Sequence, residues 1–348
     1  MGLFYMNNIL KIVFVIIGTL IGAGFASGKE IYLFFFSEGM NGILGIIISS
    51  LIIGYIVYKS LVLIKKYEIS KYKDFLEIFM SKKDKGYFNL KNIFNIIINI
   101  FILITFFVMI AGFGAYFSQE IGWNSMIGSI ILAIITYIIF NYDIKGVVNV
   151  NGIIIPILIV FILIIGGVNL TKISLLNLDR YLIESKGLGY ILKAILYSSY
   201  NSILLIPVLI TLRNLIIDKK QLKKISIIVT IIIISMSLII FLLLVRVNVD
   251  IAELEMPAVY VVSNISKVLE IFYGIIILGS ILTTSISLGE SFIQNICKNK
   301  KSYTQIALIM CITSVFVAKI GFSKLIEIMY PVFGYLGIIQ LIGLIFKK

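Results

Sequence analysis

The chain has 348 residues, of which 60% are hydrophobic and only 14% are charged, and its formal net charge is +13. A soluble domain has about 45–50% apolar residues, and this chain repeats apolar runs long enough to cross a hydrocarbon core about 30 Å thick, so the composition indicates a polytopic membrane protein. Its lysines cluster in loops between the runs, which favours a topological role over nucleic-acid binding, and the absence of histidine excludes histidine metal sites and histidine proton relays.

Hydropathy and the charged breaks between apolar runs predict an all-α membrane protein with ten transmembrane helices. The expected spans cover 10–36, 41–64, 90–118, 124–141, 145–168, 187–212, 222–246, 266–296, 302–320 and 323–346. The polar stretch between the second and third spans contains SKYKDFLEIFM, whose apolar spacing predicts an amphipathic surface helix. Lysine and arginine are concentrated in the loops on the side of the two termini, so the positive-inside rule predicts that both termini are cytoplasmic.

The first span contains GTLIGAGFASGKE, residues 18–30, whose glycines and charges suit a continuous helix poorly. An unwound segment at this depth offers free N–H groups to a carboxylate and free carbonyl groups to a cation such as sodium. The alternative is helix packing, because Gly18 and Gly22 form one GxxxG pattern and Gly24 and Gly28 form another.

The two halves of the chain predict an inverted repeat. The first set of five spans ends near residue 168, and the second set of five begins near residue 187. Because five is an odd number, the second half enters the membrane in the opposite orientation. We expect repeats over 1–168 and 187–348 that together form one integral membrane domain. The first and sixth spans are then equivalent and both should be discontinuous, and the sixth carries YSSYN at 197–201 followed by Pro207.

The eighth span carries a hydroxyl-rich face in an otherwise apolar helix. Ser280, Thr283, Thr284 and Ser287 follow the i, i+3, i+4, i+7 spacing of one helix face. These hydroxyls either supply oxygen ligands to an ion or bond back to carbonyls of their own helix.

The segment GAGFASGKEIYLFF is similar to the hallmark segment of YkvI-type bacterial membrane proteins, which resemble the amino acid–polyamine–organocation superfamily with its LeuT-like fold. The resemblance extends over the whole chain at the level of ten spans and implies the bacterial cytoplasmic membrane as the location. Many such transporters have two further helices, so the resemblance leaves the oligomeric state open.

The resemblance implies the positions of two sites. Sodium would bind carbonyls of Gly18, Ile21 and Ser280 and hydroxyls of Thr283 and Thr284. The substrate carboxylate would meet N–H groups around Gly22, Ala23 and Gly24. The rest of the substrate would be contacted by residues of the third and sixth spans, namely Met109, Gly112, Phe113, Tyr116, Tyr197, Ser198, Ser199, Tyr200 and Asn201.

Three charged residues are candidates for an outer gate. Lys29 is expected to pair with Glu327 or with Glu30, and exchanging the charges of Lys29 and Glu327 should then restore transport lost in either single variant. Snorkelling of Lys29 and Glu30 to the interface is the alternative.

The predicted function is secondary transport of a small amino acid or related zwitterion, coupled to sodium by alternating access. Relatives that replace the ion use a lysine in the fifth span, which this chain lacks, whereas Glu30 and Glu290 keep proton coupling open. The second hypothesis is an amino-acid-sensing receptor that does not transport. The chain has no P-loop and no HExxH motif, so we expect neither an ATP-driven pump nor an enzyme. We expect no cofactor, and the expected partners are a small-molecule substrate and the lipid bilayer but no nucleic acid.

Overall fold

The computed structural model describes residues 2–79, 90–141, 147–170, 187–216, 218–246, 250–297 and 300–347. This part of the chain is almost entirely α-helical and contains no β-strand. The first half contains α1 (Gly2–Leu20), α2 (Ala23–Ala26), α3 (Lys29–Phe34), α4 (Asn41–Lys66), α5 (Tyr72–Phe79), α6 (Leu90–Tyr116), α7 (Ser125–Asn141) and α8 (Val147–Leu170). The second half contains α9 (Gly189–Thr211), α10 (Lys219–Leu244), α11 (Pro257–Ile265), α12 (Lys267–Ile296), α13 (Lys300–Ala318) and α14 (Phe322–Phe346).

The long helices fit a multi-pass membrane protein. Within the described ranges, six of them are long and apolar enough to cross a membrane, and they correspond to α4, α6, α9, α10, α12 and α14. Shorter apolar helices coincide with the predicted first, fourth, fifth and ninth spans. The all-helical class is confirmed, while the count of ten spans stays a prediction, and the expected start of the fifth span at residue 145 lies outside the described residues.

The predicted interruption of the first span is confirmed. Helix α1 ends at Leu20, and Gly22 adopts extended backbone angles (φ −86°, ψ −170°) before the single turn of α2. A second change of direction follows at Gly28, whose φ of 84° lies in the left-handed region that glycine tolerates best. The first span is therefore built from three helical pieces, of which α2 and α3 are buried in the protein.

The predicted interruption of the sixth span is wrong. Helix α9 runs without a break from Gly189 to Thr211 and contains both residues 197–201 and Pro207. The polar side chains bond back to the helix instead of opening it: Ser198 Oγ donates to the Ala194 carbonyl at 2.7 Å and Asn201 Nδ2 to the Tyr197 carbonyl at 2.9 Å. Pro207 lies eighteen residues after the helix start, and the helix continues past it to Thr211.

Helix contacts in the two halves mirror each other. Helix α1 packs against α8, α9 and α10, while α9 packs against α14 and α4; α4 also contacts α10, and α6 contacts α12. Such paired contacts are what a two-fold repeat would produce, and the repeat itself stays a prediction. The amphipathic α5 lies where it was expected, with Phe75 and Leu76 buried and the Tyr72 hydroxyl bonded to Gln340.

Candidate functional site

A cavity begins at the break of the first span, with an empty volume of about 730 Å³ including its mouth. Helices α1, α3, α6, α9, α12 and α14 form its wall, together with the break itself. The lining residues are Gly18, Thr19, Leu20, Gly22, Glu30, Ile102, Thr105, Met109, Tyr200, Asn201, Leu204, Pro207, Val208, Thr284, Ser287, Leu288, Ser291 and Tyr330. Most of the wall is apolar, with a few convergent polar groups, which is the usual character of a small-molecule site.

The cavity extends toward one end of the helix bundle. Its wall includes Thr19, which precedes the break, and Ile102, which comes before the middle of α6. It also includes Val208 and Ser291, which lie near the ends of α9 and α12. In the predicted ten-span topology, odd-numbered and even-numbered spans cross in opposite directions, which puts these residues at the end of the bundle where α1 begins.

The opposite end is closed around a buried lysine. The Lys29 side chain is 0% exposed, and its Nζ lies 3.3 Å from Glu327 Oε1 on α14. The same Nζ donates to the carbonyls of Ala252 at 2.8 Å and Leu254 at 3.2 Å. Lys29 therefore ties the first span to α14 and to the segment that precedes α11.

Three further contacts hold this region in place. The Ser323 amide donates to Glu255 Oε2 at 2.7 Å, and Gln119 exchanges two hydrogen bonds with the Met256 backbone. The Ala258 amide also donates to the Ser27 carbonyl at 2.8 Å. This end of the bundle is thus closed by a network in which the Lys29–Glu327 pair is one part.

The lysine network changes the expected result of the charge exchange. A glutamate at position 29 would face the carbonyl oxygens of Ala252 and Leu254, which only a donor can satisfy. Restoration by exchange, as the sequence suggested, is therefore not expected from this geometry.

Glu30 does not join Lys29 and Glu327. Its side chain turns to the other side of α3, is 3% exposed and lines the cavity. The Tyr200 hydroxyl donates to Glu30 Oε2 at 2.5 Å, and the Phe25 amide faces the same carboxyl group. Gly24 makes room for this carboxyl, because a Cβ there would lie 2.8 Å from Glu30 Cγ.

Two helices meet at the residues assigned to sodium by resemblance. Ser280 Oγ donates to the Ile21 carbonyl at 3.1 Å, so α12 contacts the break directly. Thr284 reaches the same place, because its Cγ2 lies 3.9 Å from where a Gly22 Cβ would be, and both Thr284 and Gly18 line the cavity. Thr283 bonds back to the Ser280 carbonyl at 3.1 Å, as expected if that hydroxyl only caps its own helix.

The predicted substrate residues divide into two groups. Gly22, Met109, Tyr200 and Asn201 line the cavity. The other eight pack elsewhere: Ala23 and Gly112 against each other, Gly24 against Glu30, Phe113 against Phe117, Tyr116 against Gly274, Tyr197 against Phe34 and Phe35, Ser198 against Ser49, and Ser199 against Gly337.

Sequence reasoning missed the part of the wall that lies toward the open end. Thr105 and Ile102 precede Met109 at helical spacing, and Leu204 and Val208 follow Tyr200 in the same way. Ser291 continues the face that Thr284 and Ser287 begin. Extending each predicted helix face by one or two turns would have found these residues, whereas Tyr330 on α14 has no such signal.

The fold and the broken first span define a multi-pass helical membrane protein with a LeuT-like fold. A solved structure with this fold is Mhp1, a nucleobase-cation-symport-1 family transporter in a closed conformation with bromovinylhydantoin bound, at a TM-score of 0.52 and 10% identity over 95% of this chain and 71% of that one. The manganese transporter of Eremococcus coleocola aligns at a TM-score of 0.46 and 13% identity, over 97% of this chain and 70% of that one.

Two curated proteins of Bacillus subtilis (strain 168) are homologues over nearly the full length. The uncharacterized membrane protein YkvI is 28% identical over 97% of this chain and 95% of its own. The uncharacterized protein YyaD is 26% identical over 97% of this chain and 96% of its own. No protein-family model matches the chain. The resemblance to YkvI-type proteins is thereby confirmed.

Proposed function

We propose that this chain is a secondary transporter that moves a small amino acid or related zwitterion by alternating access, with sodium as the coupling ion. The observation that carries the proposal is a cavity that reaches the break of the first span from one end, while a lysine network closes the other end. Alternating access requires a central site with one side closed. On the positive-inside assignment, the open side faces the cytoplasm.

Uptake into proteoliposomes tests this function. Purified protein reconstituted with an inward sodium gradient should accumulate a labelled amino acid that also stabilises the protein against heat in detergent. Binding without accumulation would favour the alternative, a receptor that senses an amino acid without transporting it. Accumulation that follows a proton gradient in the absence of sodium would favour proton coupling.

Thr284→Ala is expected to weaken sodium-dependent substrate binding by at least about tenfold, because it removes the hydroxyl group of a residue that lines the cavity beside the break. The measurement is substrate affinity in sodium and in choline buffer. Thr313→Ala is the matched control, since the Thr313 hydroxyl is exposed and bonds to the Ile309 carbonyl. Equal wild-type affinity in the two buffers would contradict the sodium site.

A cysteine at Val208 should react with a membrane-impermeant thiol reagent from the cytoplasmic side and not from outside. Val208 lines the cavity near its open end, whereas Ser199 on the same helix is buried against Gly337. Both variants are made after Cys297 and Cys311 are replaced by serine. Ser199→Cys should stay unlabelled from either side, and labelling of Val208→Cys from outside would reverse the proposed orientation.

A further inference from the structure

Among the described residues, the cavity wall contains one carboxyl group and no basic side chain. This carboxyl group belongs to Glu30. The neighbouring Lys29 is directed into the closed end, where Glu327 and two carbonyl groups bind it. The described structure contains no ion pair to Glu30, so its buried carboxyl group has hydrogen-bond donors but no cation.

Glu30 also covers the backbone that was expected to bind a substrate carboxylate. Its Cγ and Cδ lie 2.8 and 2.9 Å from the position of a Gly24 Cβ, with Oε1 closer still. The Phe25 amide faces this carboxyl group. A ligand carboxylate at the same place would meet the Glu30 carboxyl group instead of free N–H groups, and like charges in a low-dielectric site repel strongly.

Aromatic rings complete the surroundings of this carboxyl group. Tyr200 donates to Glu30 and packs against Tyr330 with ring centroids 4.9 Å apart, and both tyrosines line the cavity. A carboxylate next to tyrosine rings is a combination that suits an organic cation, since ammonium groups bind both anionic oxygens and the faces of aromatic rings.

We infer that Glu30 binds the positively charged nitrogen of the ligand, with Tyr200 and Tyr330 beside it. This inference rests on the proposed transport function and narrows its substrate class to amines and amino acids whose ammonium group is required for binding. The described residues of the cavity wall offer the carboxylate of a zwitterion no cationic partner, so an amine without a carboxylate binds at least as well as the matching amino acid.

Binding of matched ligand triads tests the assignment without relying on transport. The probes are leucine, isoamylamine and isocaproic acid, and phenylalanine, phenethylamine and hydrocinnamic acid, with affinities read from thermal stabilisation of the detergent-purified full chain. We expect at least one amine to stabilise the wild-type protein and neither desamino acid to do so. Glu30→Gln should weaken amine binding by at least about tenfold, because it removes the counter-charge and keeps the shape.

Two further variants separate ligand binding from folding. Glu38→Gln is the matched control, because Glu38 is also buried but pairs with Lys193 at 2.7 Å outside the cavity, and its affinity for amines should equal that of the wild type. Gly24→Ala keeps the charge of Glu30 and displaces its flexible side chain, so it should weaken amine binding even if Glu30→Gln does not fold.

Several results would overturn the inference. They are stabilisation by the desamino acids equal to that by the amines, failure of every amine to stabilise the wild-type protein, and unchanged amine affinity in Glu30→Gln or, where that variant does not fold, in Gly24→Ala. If Glu30→Gln keeps its amine binding but loses uptake driven by a proton gradient, the inference is also overturned and Glu30 is a proton-binding site instead. Glu30-dependent amine binding without accumulation in proteoliposomes would instead reject the proposed transport and leave the inference standing.

Discussion

Replacement of Lys29 by methionine is expected to reduce uptake in proteoliposomes to the background level of empty vesicles. Methionine retains much of the side-chain volume but donates no hydrogen bonds, so the Ala252 and Leu254 carbonyls and the Glu327 carboxylate lose their common partner. Each unsatisfied group costs about 1–3 kcal/mol, and together they disfavour the state in which this end is closed. Because alternating access needs that state in every cycle, transport stops even where the ligand still binds.

Two comparisons sharpen this test. Lys193→Met removes another lysine that pairs with a buried glutamate, Glu38, away from the cavity, and it should retain most of the wild-type uptake. The double exchange Lys29→Glu with Glu327→Lys should stay inactive, because it leaves the two carbonyl oxygens without a donor. Wild-type uptake in Lys29→Met would show that the closure does not depend on this lysine, and full recovery in the exchange would show that the ion pair alone suffices.

Gly337→Ala is expected to cause a large loss of stability, because the added methyl group would meet the backbone of a neighbouring helix. A Cβ at Gly337 would lie 2.6 Å from the Ser199 carbonyl carbon and closer to its oxygen, where α14 crosses α9. The obstacle is backbone, so relief requires the two helices to separate, and overpacking of this kind costs about 1–3 kcal/mol or more.

The measurement is the melting temperature of the detergent-purified protein. Gly167→Ala is the matched control, since Gly167 is also in a helix but nothing lies within 4 Å of an added Cβ. Its melting temperature should stay the same or rise slightly, because alanine favours helix over glycine. If the melting temperature of Gly337→Ala equals that of Gly167→Ala, α9 and α14 are not in this close contact in the protein.

The sequence predicted the structure best where a local pattern is compatible with only one backbone conformation. Apolar runs separated by lysine-rich loops predicted the helices, and the glycines of residues 18–30 predicted the break that α1 and α2 show. The polar segment 197–201 was misleading, because serine and asparagine hydroxyl and amide groups can either compete with a helix or bond back to it. Burial of α9 between α4 and α14 favoured the second outcome, and this packing depends on the tertiary structure.

The sequence was equally ambiguous about the directions in which the side chains of Lys29 and Glu30 point. Both were expected in one gate because they are adjacent charges, yet only Lys29 reaches Glu327. Adjacent residues of a helix project about 100° apart, so Glu30 faces Tyr200 and the cavity instead. The direction of α3 after Gly28 decides which residue faces which side, and no pattern in a single sequence fixes that direction.

Lys29 and Glu30 are consecutive residues that face different regions of the protein, and this has a consequence for how the protein can evolve. Insertion or deletion of one residue between the break and α3 would rotate both side chains by the same angle and remove both from their partners at once. Substitutions in the rest of the cavity wall, which is drawn from several other helices, leave that angle untouched. Among descendants of a common ancestor, we therefore expect the length of the segment from residue 21 to residue 30 to vary less than the identity of the residues around the ligand.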